Sequence, residues 1–159
     1  MRIAIGCDHR GLNLKRAIAD YLRKAGHQVQ DVGAFTEESV DYPDIARDVA
    51  QAVAQRRAEQ GVLVCSTGIG MSIAANKVAS VRAALCVDAS TAERARAHND
   101  ANVLCLGESV CTPEKAVEIV KAYLGASFEG GRHARRVEKI RQMEGVQASG
   151  PSPKSGIAP

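Results

Sequence analysis

Short apolar runs alternate with longer amphipathic segments along this chain. The runs read RIAIGC, HQVQDVG, GVLVC, VRAALCV and NVLCLG. The segments between them repeat apolar residues at helical spacing and are long enough to form crossover helices. This alternation is typical of βαβ units, and strands that are mostly apolar predict a parallel sheet covered by helices on both faces.

The helical segments carry their own start and stop signals. The first keeps its apolar residues on one face and is followed by Gly26, a residue suited to a helix C-terminus. The second starts near Asp41 and Pro43, and a later one opens with TPEK. The polar segment RHARRVEKIRQMEG is helical in character but has few apolar positions. We therefore expect this C-terminal helix to reach a partner subunit.

Right-handed crossovers join such units into a three-layer α/β/α, Rossmann-like fold with a sheet of about five parallel strands. The ligand site of such a fold lies at the carboxyl ends of the strands. One domain is expected over residues 1–144. Residues 145–159 are rich in Gly, Ser and Pro, which predicts a disordered tail.

Composition excludes several functional classes. The 159 residues are 45% hydrophobic and carry a formal net charge of only +3, which is too little basic excess to favour nucleic acid as a partner. No run of apolar residues is long enough to span a membrane, and the first residues do not resemble a signal peptide. A cytoplasmic protein is expected.

The cysteines indicate free thiols rather than a disulfide framework or a zinc site. There are five, an odd number, and no C-x-x-C pair occurs. Four of them lie at or near the end of an apolar run, so each of the four is first interpreted as a small buried hydrophobic residue. These four are Cys7, Cys65, Cys86 and Cys105, and the fifth is Cys111.

The segment LVCSTGIGMSIAANK, residues 63–77, joins a strand to a helix through a glycine-rich turn. A dinucleotide fingerprint is weak here because the third glycine position holds Ile73. A cysteine phosphatase needs an arginine where this chain has Met71. A Walker loop needs its lysine earlier than Lys77.

The remaining interpretation is an anion hole with a thiol beside it. Backbone N–H groups of the turn stabilise negative charge on a bound oxygen, and the same field favours a thiolate at Cys65. Such a base beside an anion hole suits proton abstraction next to a carbonyl, and the Thr67 hydroxyl can hold a proton on the substrate oxygens. The loop alone leaves a second interpretation open, in which Cys65 is a buried thiol and the glycines only tighten a turn.

Polar side chains elsewhere favour the chemical interpretation. Asp8 and His9 directly follow the first strand. His98 and Asn99 lie at the end of a helix before the fifth strand, and we expect them on the same side of the sheet as the glycine loop. Taken singly, each group also fits a cap or a solvated face.

A basic cluster follows a Gly-Gly pair near the C-terminus. Arg132 and Arg136 are four residues apart and share one helical face. Paired guanidinium groups suit a phosphate or a carboxylate, although arginine-rich faces are also common on solvated helices.

The motifs together resemble one known family. GCDHRG, DVGAFTEESVDYPD, VCSTGIGMSIAANKV, VRAALC, ARAHNDANVLCLG and FEGGRHARRVEKI are similar, in order and spacing, to the B-type ribose-5-phosphate isomerases, which include galactose-6-phosphate isomerase subunits. The resemblance covers residues 2 to 144. It implies an aldose–ketose isomerase of carbohydrate metabolism, in the pentose phosphate pathway, that interconverts ribose 5-phosphate and ribulose 5-phosphate through a cis-enediolate.

The resemblance also implies residue roles. Cys65 is the catalytic base, Thr67 assists proton movement on the oxygens, and His98 opens the furanose ring with Asp8 nearby. The anion hole consists of the residues that follow the base in the turn, namely Ser66, Gly68, Ile69, Gly70, Met71 and Ser72. Some relatives use a glutamate in this loop as the base, but GIGMS contains no carboxylate.

The implied substrate contacts and assembly complete the expectation. His9, Arg132 and Arg136 match phosphate-binding positions, and Asn99 matches a substrate-binding one. Family members need no metal and no organic cofactor. They are homodimers, some of which pair into tetramers, with active sites shared between subunits.

One departure from the family pattern puts the substrate in question. Many relatives have an arginine that binds phosphate after the fifth strand, where this chain has Ser109. Another sugar, either a six-carbon 6-phosphate or a non-phosphorylated rare sugar, therefore stays open. A non-catalytic sugar-phosphate-binding subunit and a nucleotide-dependent oxidoreductase are the alternatives from other classes.

Overall fold

The strands and helices follow the predicted alternation in the computed structural model, which describes residues 1–147. The strands are β1 (Arg2–Cys7), β2 (Gln28–Asp31), β3 (Gln60–Cys65), β4 (Ala83–Leu85) and β5 (Val103–Gly107). The helices are α1 (Leu12–Lys24), α2 (Tyr42–Ala54), α3 (Ile69–Ala75), α4 (Ala89–Asn99), α5 (Pro113–Gly125) and α6 (Arg132–Gln147).

The strands form one 5-stranded sheet in the order β2-β1-β3-β5-β4, with every pairing parallel. One apolar core lies between the sheet and helices α1, α4 and α5. A second core lies on the other face, against α2 and α3. The predicted three-layer α/β/α fold is confirmed.

Local signals explain where the helices begin and end. Asp41 precedes α2, and Pro43 lies in its first turn, where a missing N–H costs nothing. Thr112 accepts a hydrogen bond from the Lys115 backbone N–H at 3.3 Å and so caps α5. Gly26 follows the C-cap of α1 with a φ of 84°, as its predicted role at the end of that helix requires.

The C-terminal helix α6 packs against its own chain. His133 and Val137 are buried, and the Ser80 backbone N–H donates to Glu144 Oε1 at 3.0 Å. Contact of α6 with a partner subunit stays a prediction. The helix continues to Gln147, and the rest of the predicted tail, residues 148–159, lies outside the described residues. Within residues 1–147, no helix is both long and apolar enough to cross a membrane.

The end of β5 lies against the glycine-rich turn that follows β3. A Cβ atom added to Gly107 would lie 2.6 Å from the backbone carbon of Thr67. Backbone cannot yield as a flexible side chain can, so this position requires glycine. The contact holds the turn close to the sheet.

We expect Gly107→Ala to lower the free energy of unfolding by about 1–3 kcal/mol, because the added methyl group overpacks a backbone contact. Urea denaturation measures this change. Gly125→Ala is the matched control, since a Cβ there would meet nothing within 4 Å. Equal stability of the two variants would show that the turn moves freely away from β5.

Candidate active site

Cys65 ends β3 at the carboxyl edge of the sheet, with its thiol turned back toward the following turn. The Gly68 backbone N–H donates to Cys65 Sγ at 3.1 Å. Gly68 has a φ of 78°, a conformation that glycine adopts without strain, and this conformation aims its N–H at the sulfur. This hydrogen bond fixes the position of the sulfur beside the turn.

The other cysteines lack this setting. Burial raises the pKa of Cys7 and of Cys86 to about 11. Burial also raises the pKa of Cys105 and, to a smaller extent, that of Cys111. The prediction that Cys7, Cys86 and Cys105 are small buried hydrophobic residues is confirmed. These thiols stay protonated near neutral pH, which leaves Cys65 as the candidate base.

The turn from Ser66 to Ser72 presents polar groups beside the sulfur. Thr67 is exposed, and its Oγ1 accepts from the Ile69 backbone N–H at 3.3 Å. Helix α3 begins at Ile69, and the first amides of a helix have no intrahelical acceptor. The Met71 side chain is fully buried in the core, so its contribution to an anion site is its backbone N–H.

Asp8 and His9 occupy the same edge, after β1. The Asp8 backbone N–H donates to the Val64 carbonyl at 3.2 Å, which places Asp8 beside the strand that ends in Cys65. Its carboxylate accepts from the Arg10 N–H at 2.9 Å. His9 Nδ1 accepts from the Val40 N–H at 3.3 Å, so in the neutral ring Nε2 carries the proton and is a donor.

Ser109 contributes to the site through the backbone. Its N–H donates to the Ser66 carbonyl at 2.9 Å, and its hydroxyl reaches the same oxygen at 2.5 Å. The Glu108 N–H donates to the Cys65 carbonyl at 2.9 Å. Ser109 therefore holds the glycine-rich turn against the end of β5.

The prediction that His98 and Asn99 lie on the same side of the sheet as the glycine loop was wrong for a single chain. They end α4, and a crossover helix returns the chain to the amino edge of a parallel sheet. Arg82, directly before β4, donates through Nε to the Asn99 carbonyl at 3.2 Å. The length of β5 therefore separates this group from Cys65, a distance of roughly 13 Å at ~3.3 Å per residue.

His98 joins a compact cluster at the amino edge. Its ring stacks on that of His133, with centroids 4.2 Å apart and planes within 1° of parallel. Glu129 Oε2 lies 3.8 Å from His98 Nε2 and 3.6 Å from His133 Nε2. Burial lowers the pKa of His133, and the neighbouring His98 and Arg132 lower it further.

Arg132 and Arg136 lie in the first turns of α6, at this amino-edge cluster and away from Cys65. Both residues are exposed, and their four-residue spacing places them on one face of α6. Arg132 Nε donates to His133 Nε2 at 3.4 Å. The predicted site residues thus form two groups within one chain, Asp8, His9 and residues 65–72 at one edge, and His98, Asn99, Arg132 and Arg136 at the other.

The sequence reasoning gave no role to Tyr42 or Glu129. A Cβ added to Gly70 would lie 2.7 Å from the Tyr42 ring, so this ring covers the start of α3. Glu129 precedes His133 by four residues, a spacing that pairs side chains within a helix. The sequence did not reveal this pairing because Glu129 precedes α6, which begins at Arg132.

Comparison with known proteins places this arrangement in a family. The family model described as Ribose/Galactose Isomerase matches residues 3–140. The chain is 48% identical to ribose-5-phosphate isomerase B of Escherichia coli K12, over 90% of this chain and 96% of that one. It is 47% identical to D-erythrulose-4-phosphate isomerase of Pectobacterium atrosepticum, over 91% and 95%. The structure of Clostridium thermocellum ribose-5-phosphate isomerase B superposes with a TM-score of 0.91 at 51% identity, covering 92% of this chain and 99% of that one.

Proposed function

The chain belongs to the ribose/galactose isomerase family, and we propose that this aldose–ketose isomerase interconverts ribose 5-phosphate and ribulose 5-phosphate with Cys65 as its base. The observation that carries the base assignment is the hydrogen bond from the Gly68 N–H to Cys65 Sγ at 3.1 Å. It holds the sulfur in the same turn as the exposed Thr67. The names and the high identity of the relatives support the substrate.

Proton transfer between two carbons accounts for the reaction. His98 protonates or deprotonates the sugar oxygens as the furanose ring opens, with Asp8 next to the ring oxygen and hydroxyls. The Cys65 thiolate then takes the proton from C2 of the aldose, and the electrons move to the carbonyl oxygen to give an enediolate. Cys65 returns the proton to C1, while Thr67 assists proton exchange between the two oxygens.

Backbone amides stabilise the intermediate in this proposal. Negative charge develops on the enediolate oxygens. In the turn of residues 66–72 the N–H groups of Gly68, Ile69 and Ser72 already donate within the chain. The candidate donors are therefore the N–H groups of Gly70 and Met71 in the first turn of α3, where a helix favours an anion. The same fixed donors cost no reorganisation when the charge forms. The substrate phosphate then needs a separate site, for which Arg132, Arg136 and His9 are the candidates.

A second copy of the chain completes the site. Since Cys65 and His98 lie at opposite edges of one chain, the His98, Asn99, Arg132 and Arg136 group is supplied by the partner in a homodimer. Apolar side chains surround the glycine-rich turn and support this assembly. Those more than a third exposed are Ile69, Ile73, Leu85 and Val87. The proposal also includes a cytoplasmic location for the protein.

Another sugar phosphate is the second candidate. A relative of nearly equal identity is named for D-erythrulose 4-phosphate, which has one carbon fewer. Ser109 also stands where many relatives have an arginine, which removes one charged contact with phosphate. A lost charge-assisted hydrogen bond weakens binding by about 1.5–3 kcal/mol, roughly tenfold or more in affinity.

A panel of aldoses tests the substrate. We expect the highest kcat/KM for ribose 5-phosphate among four-, five- and six-carbon aldose phosphates, and a large loss for ribose without its phosphate. Coupled ketose detection measures each rate. A higher kcat/KM for a four-carbon or six-carbon phosphate would replace the proposed substrate but retain the reaction type.

Replacing Cys65 tests the base. Cys65→Ala should lower kcat by about 10²–10⁴-fold with a small change in KM, because a general base acts in the transition state and contributes little to substrate binding. Cys111→Ala is the matched control, as this thiol is only partly buried and lies outside the site. Wild-type turnover by the Cys65→Ala enzyme would exclude the cysteine mechanism.

Mixed dimers test whether the site is shared. A heterodimer of Cys65→Ala and His98→Asn chains, purified through two different tags, should recover about half of the wild-type kcat, since one of its two sites is intact. The control is a heterodimer of a wild-type chain and a chain that carries both substitutions. Each of its shared sites contains one defect, so this heterodimer should be inactive. Half activity in this second heterodimer would place both residues in a site within one chain.

A further inference from the structure

Asp100 follows the last residue of α4 in a backbone conformation that few residues adopt. Its φ is 47° and its ψ is 42°, in the left-handed region that apart from glycine mainly asparagine and aspartate occupy. The two residues before it are His98 and Asn99, which the proposed reaction uses. The path of the chain directly beside a proposed catalytic group therefore depends on Asp100.

Two arginines bind the Asp100 carboxylate. Arg82 Nη2 donates to Oδ2 at 2.8 Å, and Arg96 Nη1 donates to Oδ1 at 2.9 Å. The side chains of Arg82 and Arg96 are only 12% and 16% exposed, and that of Asp100 is 26% exposed. Each carboxylate oxygen thus has its own guanidinium partner, and salt screens these partly buried pairs less than it screens an exposed pair.

The same two arginines also bind the backbone at the end of the helix. Arg82 Nε donates to the Asn99 carbonyl at 3.2 Å and to the Asp100 carbonyl at 2.8 Å. Arg96 Nη1 donates to the Ala101 carbonyl at 2.7 Å. The last carbonyls of a helix have no intrahelical partner, so these donors satisfy groups that would otherwise need water. Cations at this end also suit the helix dipole.

Arg82 connects this helix end to the sheet. It directly precedes β4, and its backbone N–H donates to Asn102 Oδ1 at 2.8 Å. The N–H groups of Asn102 and Val103 donate to its carbonyl at 3.0 Å and 3.3 Å, and Val103 is the first residue of β5. Two neighbouring strands therefore fix Arg82, and the Asp100 carboxylate ties the end of α4 to this fixed group.

The carboxylate at position 100 does what a neutral side chain of the same shape could not. Asparagine also tolerates the left-handed conformation. Its amide has only one oxygen, however, so its NH₂ group would face the second guanidinium and leave that arginine without an acceptor. Aspartate combines the left-handed backbone with one acceptor oxygen for each arginine.

We propose that Asp100 is a positioning residue for the isomerase reaction. Through Arg82 and Arg96 it fixes the end of α4, so that the His98 ring is held in place to open the sugar ring. Asp100 itself contacts no substrate in this scheme. The kinetic part of the inference rests on the function proposed above, whereas the positioning of the ring does not.

Histidine NMR tests the positioning without substrate. The imidazole nitrogens of the full chain are isotope-labelled, and His98→Asn assigns the His98 signals. We expect Asp100→Asn and Asp100→Gly to shift or broaden these signals, while those of His9 stay as in the wild type. Asp100→Gly keeps the left-handed backbone without strain, so its effect reports the lost carboxylate and not a misformed helix end.

Glu59→Gln is the matched control. Glu59 Oε2 accepts from the Arg2 N–H at 2.7 Å and lies 3.7 Å from Arg2 Nε. The substitution therefore also removes a carboxylate that holds an arginine and a backbone group, but it leaves Arg82 and Arg96 paired. The His98 signals should stay in place. Unchanged His98 signals in both Asp100 variants, or an equal change in Glu59→Gln, would overturn the proposal.

Kinetics then measure the consequence for the reaction. We expect both Asp100 variants to lower kcat/KM for ribose 5-phosphate by at least about tenfold, since a catalytic group displaced by about 1 Å can cost roughly a hundredfold. The deuterium isotope effect at C2 should fall toward one, because slower ring opening makes proton abstraction limit the rate less. A loss of folded enzyme alone lowers the rate but leaves this isotope effect unchanged. Wild-type kcat/KM in Asp100→Gly would overturn the kinetic role.

The His98→Asn enzyme separates this inference from the proposed function. It should show the same fall in the isotope effect as the Asp100 variants. Wild-type turnover of His98→Asn would contradict the role of His98 in ring opening and with it the kinetic role of Asp100. The NMR comparison would still decide whether Asp100 positions the His98 ring.

Discussion

The parallel direction of all the strands is the constraint on which the arrangement of this protein depends. Parallel strands bring their carboxyl ends to one edge, and each crossover helix must carry the chain back to the other. Residues that follow strands, such as Asp8 and Cys65, therefore collect at one edge. Residues that end helices, such as His98, collect at the opposite edge. No side-chain rearrangement within one chain brings the two groups together across the length of β5.

Backbone contacts at the carboxyl edge give Cys65 a setting that differs from those of the other cysteines. The N–H groups of Glu108 and Ser109 hold the turn after β3, and Gly107 lets it approach β5 closely. This support fixes Gly68 in the conformation that directs its N–H at the sulfur. Among residues 1–147, no backbone N–H donates to the sulfur of the buried Cys7, Cys86 or Cys105, and burial raises the pKa of each. One residue type thus serves as core packing at several positions and as a candidate base at another, according to the local backbone.

Most of the fold could be predicted from the sequence because its signals are local. Apolar runs mark the strands, and Asp41, Pro43 and Thr112 mark helix starts. The glycine-rich turn could also be identified from the sequence, since a thiol, a hydroxyl and two glycines lie within a few residues of one another. The position of His98 was mispredicted although the information was present, because its edge depends on chain direction rather than on residue type. The stacking of His98 on His133 was not predictable, since it depends on how α6 packs against α4.

The separation of the two edges has a chemical consequence for each group. The carboxyl edge combines a thiol with backbone donors, so it favours anions. The amino edge combines two imidazoles and a carboxylate, which can exchange protons, with two arginines, which can attract phosphate. Proton transfer and phosphate binding in the proposed reaction therefore depend on neighbouring side chains of the amino edge, whereas proton abstraction next to the carbonyl depends on the carboxyl edge. Neither edge of a single chain carries both kinds of group, so in the proposed homodimer each complete site needs the carboxyl edge of one subunit and the amino edge of the other.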